Sequence, residues 1–438
     1  MSPAMLGLVG MIALFGMLAL RLPVALAAGA IAIPGIAWLG IMSGETLSHS
    51  IAAIPGMMQD LLHPDRMAMV ALFVLLGNIA FYAGISTRIY DAARIWLLHV
   101  PGGLAMASVL GCGGFASISG SSVGCASTMG RICVPEMLRH GCDPRLATSS
   151  VAVGGTLGSL IPPSVLFILY GLLTGESVAK LFIAGLLPGL LSLAGMLAVI
   201  LWWVREEPGI APRPAPAKES RAEATLALWP PAILLAIIIG GLFSGLLSPL
   251  TAAATCVGLA LAIGVLYHRL SAEVLWIVFR DSAVQSVLLL LIVAAAALFL
   301  NFMEQTGVGL AIAEWARFSG LPVLTVVALV AVICLLLGMF VEPLGILVLT
   351  LPVMAPMMQS YGMDPIWFGV ILVKLLEIAL ITPPVGLNVF VIGSVTRDVA
   401  VDQVFAGVAR FLLVDMLVLL VLILFPVFST LLPGLMAP

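Results

Sequence analysis

Residues 381–390 read ITPPVGLNVF and lie in one of the most apolar parts of a 438-residue chain. Pro383 and Pro384 remove two amide donors and clash with the preceding turn, so a helix entering this stretch must break. A break surrounded by hydrocarbon leaves carbonyls that water cannot reach. Such backbone persists only where protein or a cavity supplies partners. The stretch therefore predicts a broken helix at membrane depth, with Thr382 and Asn388 beside the break.

Composition sets that depth. The chain is 62% hydrophobic and 9% charged, with a mean hydropathy of +1.24. Soluble domains carry about 25% charged residues, so this is a polytopic, all-α membrane protein whose first partner is the lipid bilayer. A net charge of −3 points to no nucleic acid. Stretches free of Asp, Glu, Lys and Arg supply roughly eleven to thirteen membrane-entering segments at about 20 residues each. The opening MSPAMLGLVGMIALFGMLALR lacks the positive region and cleavage site of a signal peptide, and is expected to be the first span. Six cysteines form no CxxC pair and are expected as small buried residues. Residues 206–223, EEPGIAPRPAPAKESRAE, mix four prolines with both charge signs. They predict a solvated linker over 205–224, dividing a first half (1–204) from a second (225–438). Arg205, Arg213, Lys218 and Arg221 favour a cytoplasmic side for it.

The two halves align at one fixed offset. Pro101 matches Pro322, Pro135 matches Pro356, and Gly141 matches Gly362. Asp143-Pro144 matches Asp364-Pro365, and Pro162-Pro163 matches Pro383-Pro384, every pair 221 residues apart. The opening motif thus has a twin, LIPPSVLF, at 160–167. Paired halves with interrupted hydrophobic segments at corresponding positions point to a transporter's midplane site. The alignment leaves inverted and parallel repeats both open.

Upstream of the first proline pair, GCGGFASISGSSVGCASTMG (111–130) is too rich in glycine and serine for a lipid-facing span. It predicts a hairpin near 111–135, or close helix packing, ahead of a broken helix near 155–173. The second half offers LGMFVEPLG (337–345), with a hairpin near 335–360 and a broken helix near 370–394. Ser121 aligns with Glu342, an intramembrane carboxylate that needs a partner, a proton or an ion. Broken helices and hairpin tips present the oxygen ligands that sodium favours. Candidate cation ligands are Ser119, Gly120, Ser121, Ser122, Gly155, Thr156, Gly338, Thr382 and the Pro383 carbonyl; Ser119, Ser121, Glu342 and Asn388 are candidates for substrate. Helix amino ends at the same breaks favour an anionic substrate group. Lys374 and Glu377, three apart, predict a helical ion pair, and Asp415 is expected to pair with Arg410. Zinc spacing, phosphate loops and acidic diphosphate-binding clusters do not occur. A membrane-embedded enzyme would have to work through serines without an adjacent base, and remains the remote alternative.

Four stretches carry a family resemblance: SISGSSVGCASTMGRICVPEMLRHGCDP, GGTLGSLIPPSVLFILYGLLTGESVAKLFIAGLLPGLL, LGMFVEPLGILVLTLPVMAPMM and GMDPIWFGVILVKLLEIALITPPVGLNVFVIGSV. In this order they resemble the large, DctM-type membrane subunit of TRAP transporters over about residues 5–432. The resemblance implies inverted repeats, each with a re-entrant hairpin and a Pro-Pro broken helix, in an elevator-type ion transporter fold. It implies a separate small four-helix membrane subunit, a periplasmic substrate-binding protein, an organic acid anion as cargo and Na+ as transported coupling ion. The bacterial inner membrane is the expected location. Family sodium and substrate positions carry over to Ser119, Ser121 and Ser122, to the Gly338–Glu342 stretch, and to Thr382 and Asn388. Many relatives have aspartate where this chain has Glu342. Alternative readings are a stand-alone or a proton-coupled anion symporter of the same superfamily.

Overall fold

The computed structural model describes residues 2–58, 63–212, 220–396 and 399–436. Among them all regular structure is helical, and eight helices are long and apolar enough to cross a membrane. Four of these, Val24–Met42, Pro64–Tyr82, Pro249–Leu266 and Ala272–Thr306, pack on one another as a scaffold. The last leaves Val284, Val287 and Leu291 exposed along one flank, an apolar surface suited to lipid. All six cysteines are buried and free.

The small-residue segment folds as a helical hairpin. Its entering limb is Gly103–Ser119 and its returning limb is Ser122–Arg139, wider than the 111–135 read from sequence. Gly120 turns the tip in the left-handed region at φ 62°, where a side chain would be strained. Ser121 caps the returning limb by accepting from the Gly124 amide at 3.2 Å. The second hairpin runs Val323–Gly338 and Pro343–Tyr361, with Glu342 at the same N-cap position and Pro343 opening the helix.

Each hairpin leads through a capped turn into a broken helix. Asp143 accepts from the Arg145 amide, and Asp364 accepts from the Ile366 and Trp367 amides. The first broken helix runs Pro144–Gly154, tightens to 3₁₀ over Gly155–Ser159, breaks at Pro162-Pro163 and resumes at Val165–Thr174. The second runs Pro365–Ala379, breaks at Pro383-Pro384 and resumes at Leu387–Val395. Every residue from Trp367 to Ala379 is buried. This helix carries Lys374 and Glu377, so a search for charge-free stretches passes over it.

The linker is only partly solvated. Residues 213–219, with Arg213 and Lys218 of the basic cluster, lie outside the described residues. Ahead of them Ile210 and Ala211 are buried, and the Ile210 carbonyl accepts from the Asp143 amide at 2.8 Å. Arg145 bridges Asp143 at 3.0 Å and Glu207 at 3.2 Å. Arg410 reaches Glu206 and Glu207, not Asp415, and lies over the Trp203 ring. Partial burial raises the Asp143 carboxyl, but hydrogen bonds and charge from Arg145 outweigh it and hold the group below its ordinary value. Desolvation likewise opposes a net lowering at Glu207, driven by Trp203, Arg410 and Arg145. Because both folded values are depressed, this clamp is whole at neutral pH. It is lost only as pH falls through those values, beneath the ordinary carboxylate range of about 4. Arg145→Ala should therefore speed limited proteolysis at 207–212 several-fold at pH 7.5, whereas acidifying the wild type from pH 8 to pH 6 should leave cleavage unchanged.

Candidate functional site

Stopping a helix inside the molecule strands its last four carbonyls, and the first broken helix shows where they go. The Ala152 carbonyl accepts from Asn388 Nδ2 at 3.1 Å, and the Val153 carbonyl accepts from Thr156 Oγ1 at 2.7 Å. At the second break the Ile378 carbonyl accepts from Thr382 Oγ1 at 2.7 Å, and the Leu380 carbonyl accepts from the Asn388 amide at 3.0 Å. Asn388 thus bridges its own break by its backbone and closes the other half's helix by its side chain.

Glycines bring the first hairpin tip against the break. A Cβ on Gly155 would stand 3.0 Å from the Ser122 carbonyl and 3.3 Å from Asn388 Nδ2. One on Gly158 would stand 3.0 Å from the Ser122 amide, and one on Gly120 would stand 2.7 Å from the Pro163 carbonyl. Larger residues would push the tip away.

Between this assembly and the scaffold lies a cavity of about 590 Å³. Ser119, Gly120, Ser121, Ser122 and Glu342 line it on the hairpin side; Asn78 and Gln285 face them from the scaffold, hydrogen-bonded to each other at 3.1 Å. Gly155, Thr156 and Asn388 are buried behind the tip. Gly338, Thr382 and Pro383 are not brought to the cavity wall: Gly338 packs on Ala379, Thr382 bonds its own helix, and Pro383 is exposed. Three buried oxygens in this region have no hydrogen-bond partner: Ser119 Oγ, Asn388 Oδ1 and Glu377 Oε2.

A profile describing the tripartite ATP-independent periplasmic transporter, DctM component, matches residues 11–428. The chain belongs to the DctM-component family. It is 36% identical over 329 residues to the C4-dicarboxylate TRAP transporter large permease protein DctM of Pseudomonas aeruginosa, covering 75% of this chain and 77% of that one. The 2,3-diketo-L-gulonate TRAP transporter large permease protein YiaN of Escherichia coli is 31% identical over 407 residues, covering 91% and 94%. The sialic acid TRAP transporter large permease protein SiaM of Vibrio cholerae is 30% identical over 371 residues, covering 84% and 86%. Among solved structures, the Alcanivorax borkumensis YdaH transporter shares the fold at a TM-score of 0.56 and 14% identity, over 89% of this chain and 88% of that one. The chain is thus a large TRAP permease subunit, a multi-pass protein of the inner membrane in bacteria, and not an enzyme.

Within this TRAP subunit the buried charges pair differently from the sequence expectation. Lys374 Nζ meets Asp415 Oδ1 at 2.5 Å, with the two side chains 0% and 2% exposed. Glu377 instead accepts from Ser122 Oγ at 2.6 Å, and Ser122 Oγ lies 3.0 Å from Ser159 Oγ. Three-residue spacing put Lys374 and Glu377 on one helix face. The lysine stem, however, reaches across to the last long helix, where Asp415 would otherwise be a lone buried charge. Glu377 and Ser159 therefore line the cavity without being among the sequence candidates; for Glu377 the signal was a second charge in an otherwise apolar helix. Asp415→Asn or Lys374→Met alone should cost about 3–5 kcal/mol by leaving an uncompensated buried charge. The double variant Lys374→Met/Asp415→Leu should recover most of it, read as the melting temperature of the detergent-solubilised protein.

Proposed function

We propose that this chain forms the translocation pathway of a sodium-coupled, binding-protein-dependent importer of a small organic acid anion. The observation that carries the reading is the group of unpartnered oxygens, Ser119 Oγ, Glu377 Oε2 and Asn388 Oδ1, gathered where the first hairpin tip meets both broken helices. Buried acceptors without donors suit a small hard cation. Cargo enters the cavity between tip and scaffold, where the amino ends of the two returning limbs, with Ser121 and Glu342 at their N-cap positions, favour an anionic group. The relatives named for C4-dicarboxylate, sialic acid and 2,3-diketo-L-gulonate support a carboxylate cargo. Sodium first organises tip and break, the anion follows, and the hairpins with their broken helices move against the scaffold as an elevator. A small membrane subunit completes the scaffold and a periplasmic binding protein delivers cargo.

Proton coupling is a second reading, favoured by Glu342, whose carboxylate lines the cavity and makes no capping hydrogen bond. Proteoliposomes holding this chain and its small subunit, supplied with loaded binding protein, should take up anion only with an inward sodium gradient. Uptake driven by a proton gradient and indifferent to sodium would reject the first reading. Robust uptake without the binding protein would reject the tripartite one. Asn388→Ala and Gly120→Ala should each abolish uptake in this assay while leaving membrane insertion intact.

A further inference from the structure

The scaffold side of the cavity wall is apolar apart from Tyr82, Asp281 and a pair of amides, Asn78 and Gln285. Both amides sit on membrane-crossing helices, Asn78 on Pro64–Tyr82 and Gln285 on Ala272–Thr306. Polar side chains on such helices face the protein interior or a water-filled cavity, and there they mark transport pathways. The two contacts of Asn78 differ in kind. Asn78 Nδ2 donates to Ser282 Oγ at 2.9 Å, and Ser282 is buried, so this bond by itself ties the two helices together. Gln285, one turn further on, is exposed, and its Oε1 also accepts from Asn78 Nδ2 at 3.1 Å. That second bond fixes the orientation of both amides. It leaves Asn78 Oδ1, which only accepts, and Gln285 Nε2, which only donates, without a partner among the described residues. A strut between helices has no use for these two atoms at a cavity wall.

We propose that Asn78 and Gln285 form a specificity-determining subsite for a hydroxyl group of the cargo, on the scaffold side of the cavity. A hydroxyl donates and accepts at once, so it satisfies both idle atoms. A carboxylate in the same place would accept from Gln285 but offer nothing to Asn78 Oδ1, and it would share the wall with the Asp281 carboxylate. An alkyl end would strip water from both amides and return no bond. The carboxylate end of the cargo therefore belongs to the hairpin side and its hydroxylated end to the scaffold. A hydroxy acid spans the cavity between the two. This deepens the anion-import reading by naming a class of cargo, rests on that reading, and is independent of which ion drives transport.

The test uses two pairs of probe anions that differ by one hydroxyl, propionate against lactate and succinate against malate. Each is titrated, in sodium at constant ionic strength, against the melting temperature of the full chain purified with its small membrane subunit. A ligand that binds only the folded state raises stability with its occupancy. In the wild type, the hydroxylated member of at least one pair should reach half its effect at a concentration roughly three- to tenfold below that of its partner, as one neutral hydrogen bond supplies. Gln285→Leu keeps the Asn78–Ser282 bond and should bring the two members within about twofold of each other, by weakening the hydroxylated one alone. Gln285→Ala serves if Gln285→Leu does not fold. Equal weakening of both members would make Gln285 a strut of the scaffold and overturn the assignment while leaving anion import standing. A wild type indifferent to the hydroxyl, or a failure of both variants to fold, overturns it likewise. If none of the four probes raises the wild-type melting temperature, the small-anion reading fails together with the inference.

Discussion

A backbone that stops being helical inside an apolar protein must find donors for the carbonyls it frees, and this constraint organises the rest of the molecule. Each unsatisfied group would cost about 1–3 kcal/mol. The chain meets that demand with a few side chains beside the breaks. Thr156 and Thr382 turn back onto the carbonyls of Val153 and Ile378. Asn388 does more, because its amide nitrogens serve the Leu380 and Ala152 carbonyls at once. The second half thereby finishes a helix that the first half leaves open. The oxygen of the same side chain is then left without a partner and available to a ligand.

Close approach is the second requirement, and glycine supplies it. Gly155 and Gly158 have no side chain where the Ser121–Ser122 backbone passes, and Gly120 sits against the Pro163 carbonyl. The hairpin tip can thus touch the break directly. That contact buries Ser122, Ser159 and Glu377 at the cavity wall, which they share with the more open Ser119, Ser121 and Glu342. The cavity lining thus carries Asp281 on the scaffold side, beside Arg280 at 3.2 Å, and Glu342 and Glu377 on the opposite side.

The sequence made the breaks legible because prolines act locally, and the 221-residue register made them a pair. Ser121 and Glu342, aligned on that register, both take the N-cap position of a returning limb. Partners distant in sequence were not legible. Lys374 and Glu377 looked like a pair because helical spacing is all that one segment reveals; the pairing of Lys374 with Asp415 depends on how two helices cross. The same holds for Arg410, five residues from Asp415 but drawn to Glu206 and Glu207 across the fold. Ile210 and Ala211 sit in a stretch whose prolines and charges signal solvent, yet the turn at Asp143 buries them. The polarity of Asn388 beside the break is plain in the sequence; its bond to Ala152, 236 residues away, depends on how the halves meet.

Under the proposed sodium coupling, the ion holds the hairpin tip against the broken helices and so governs access to the cavity. Because all six native cysteines are buried, Ser121→Cys would place a single exposed thiol on the cavity wall. Its reaction with a water-soluble maleimide, followed in the purified two-subunit complex, reads access to the tip directly. Replacing choline with sodium should slow labelling several-fold, and adding potassium instead should not. Equal rates in sodium, potassium and choline would show that sodium does not hold the tip.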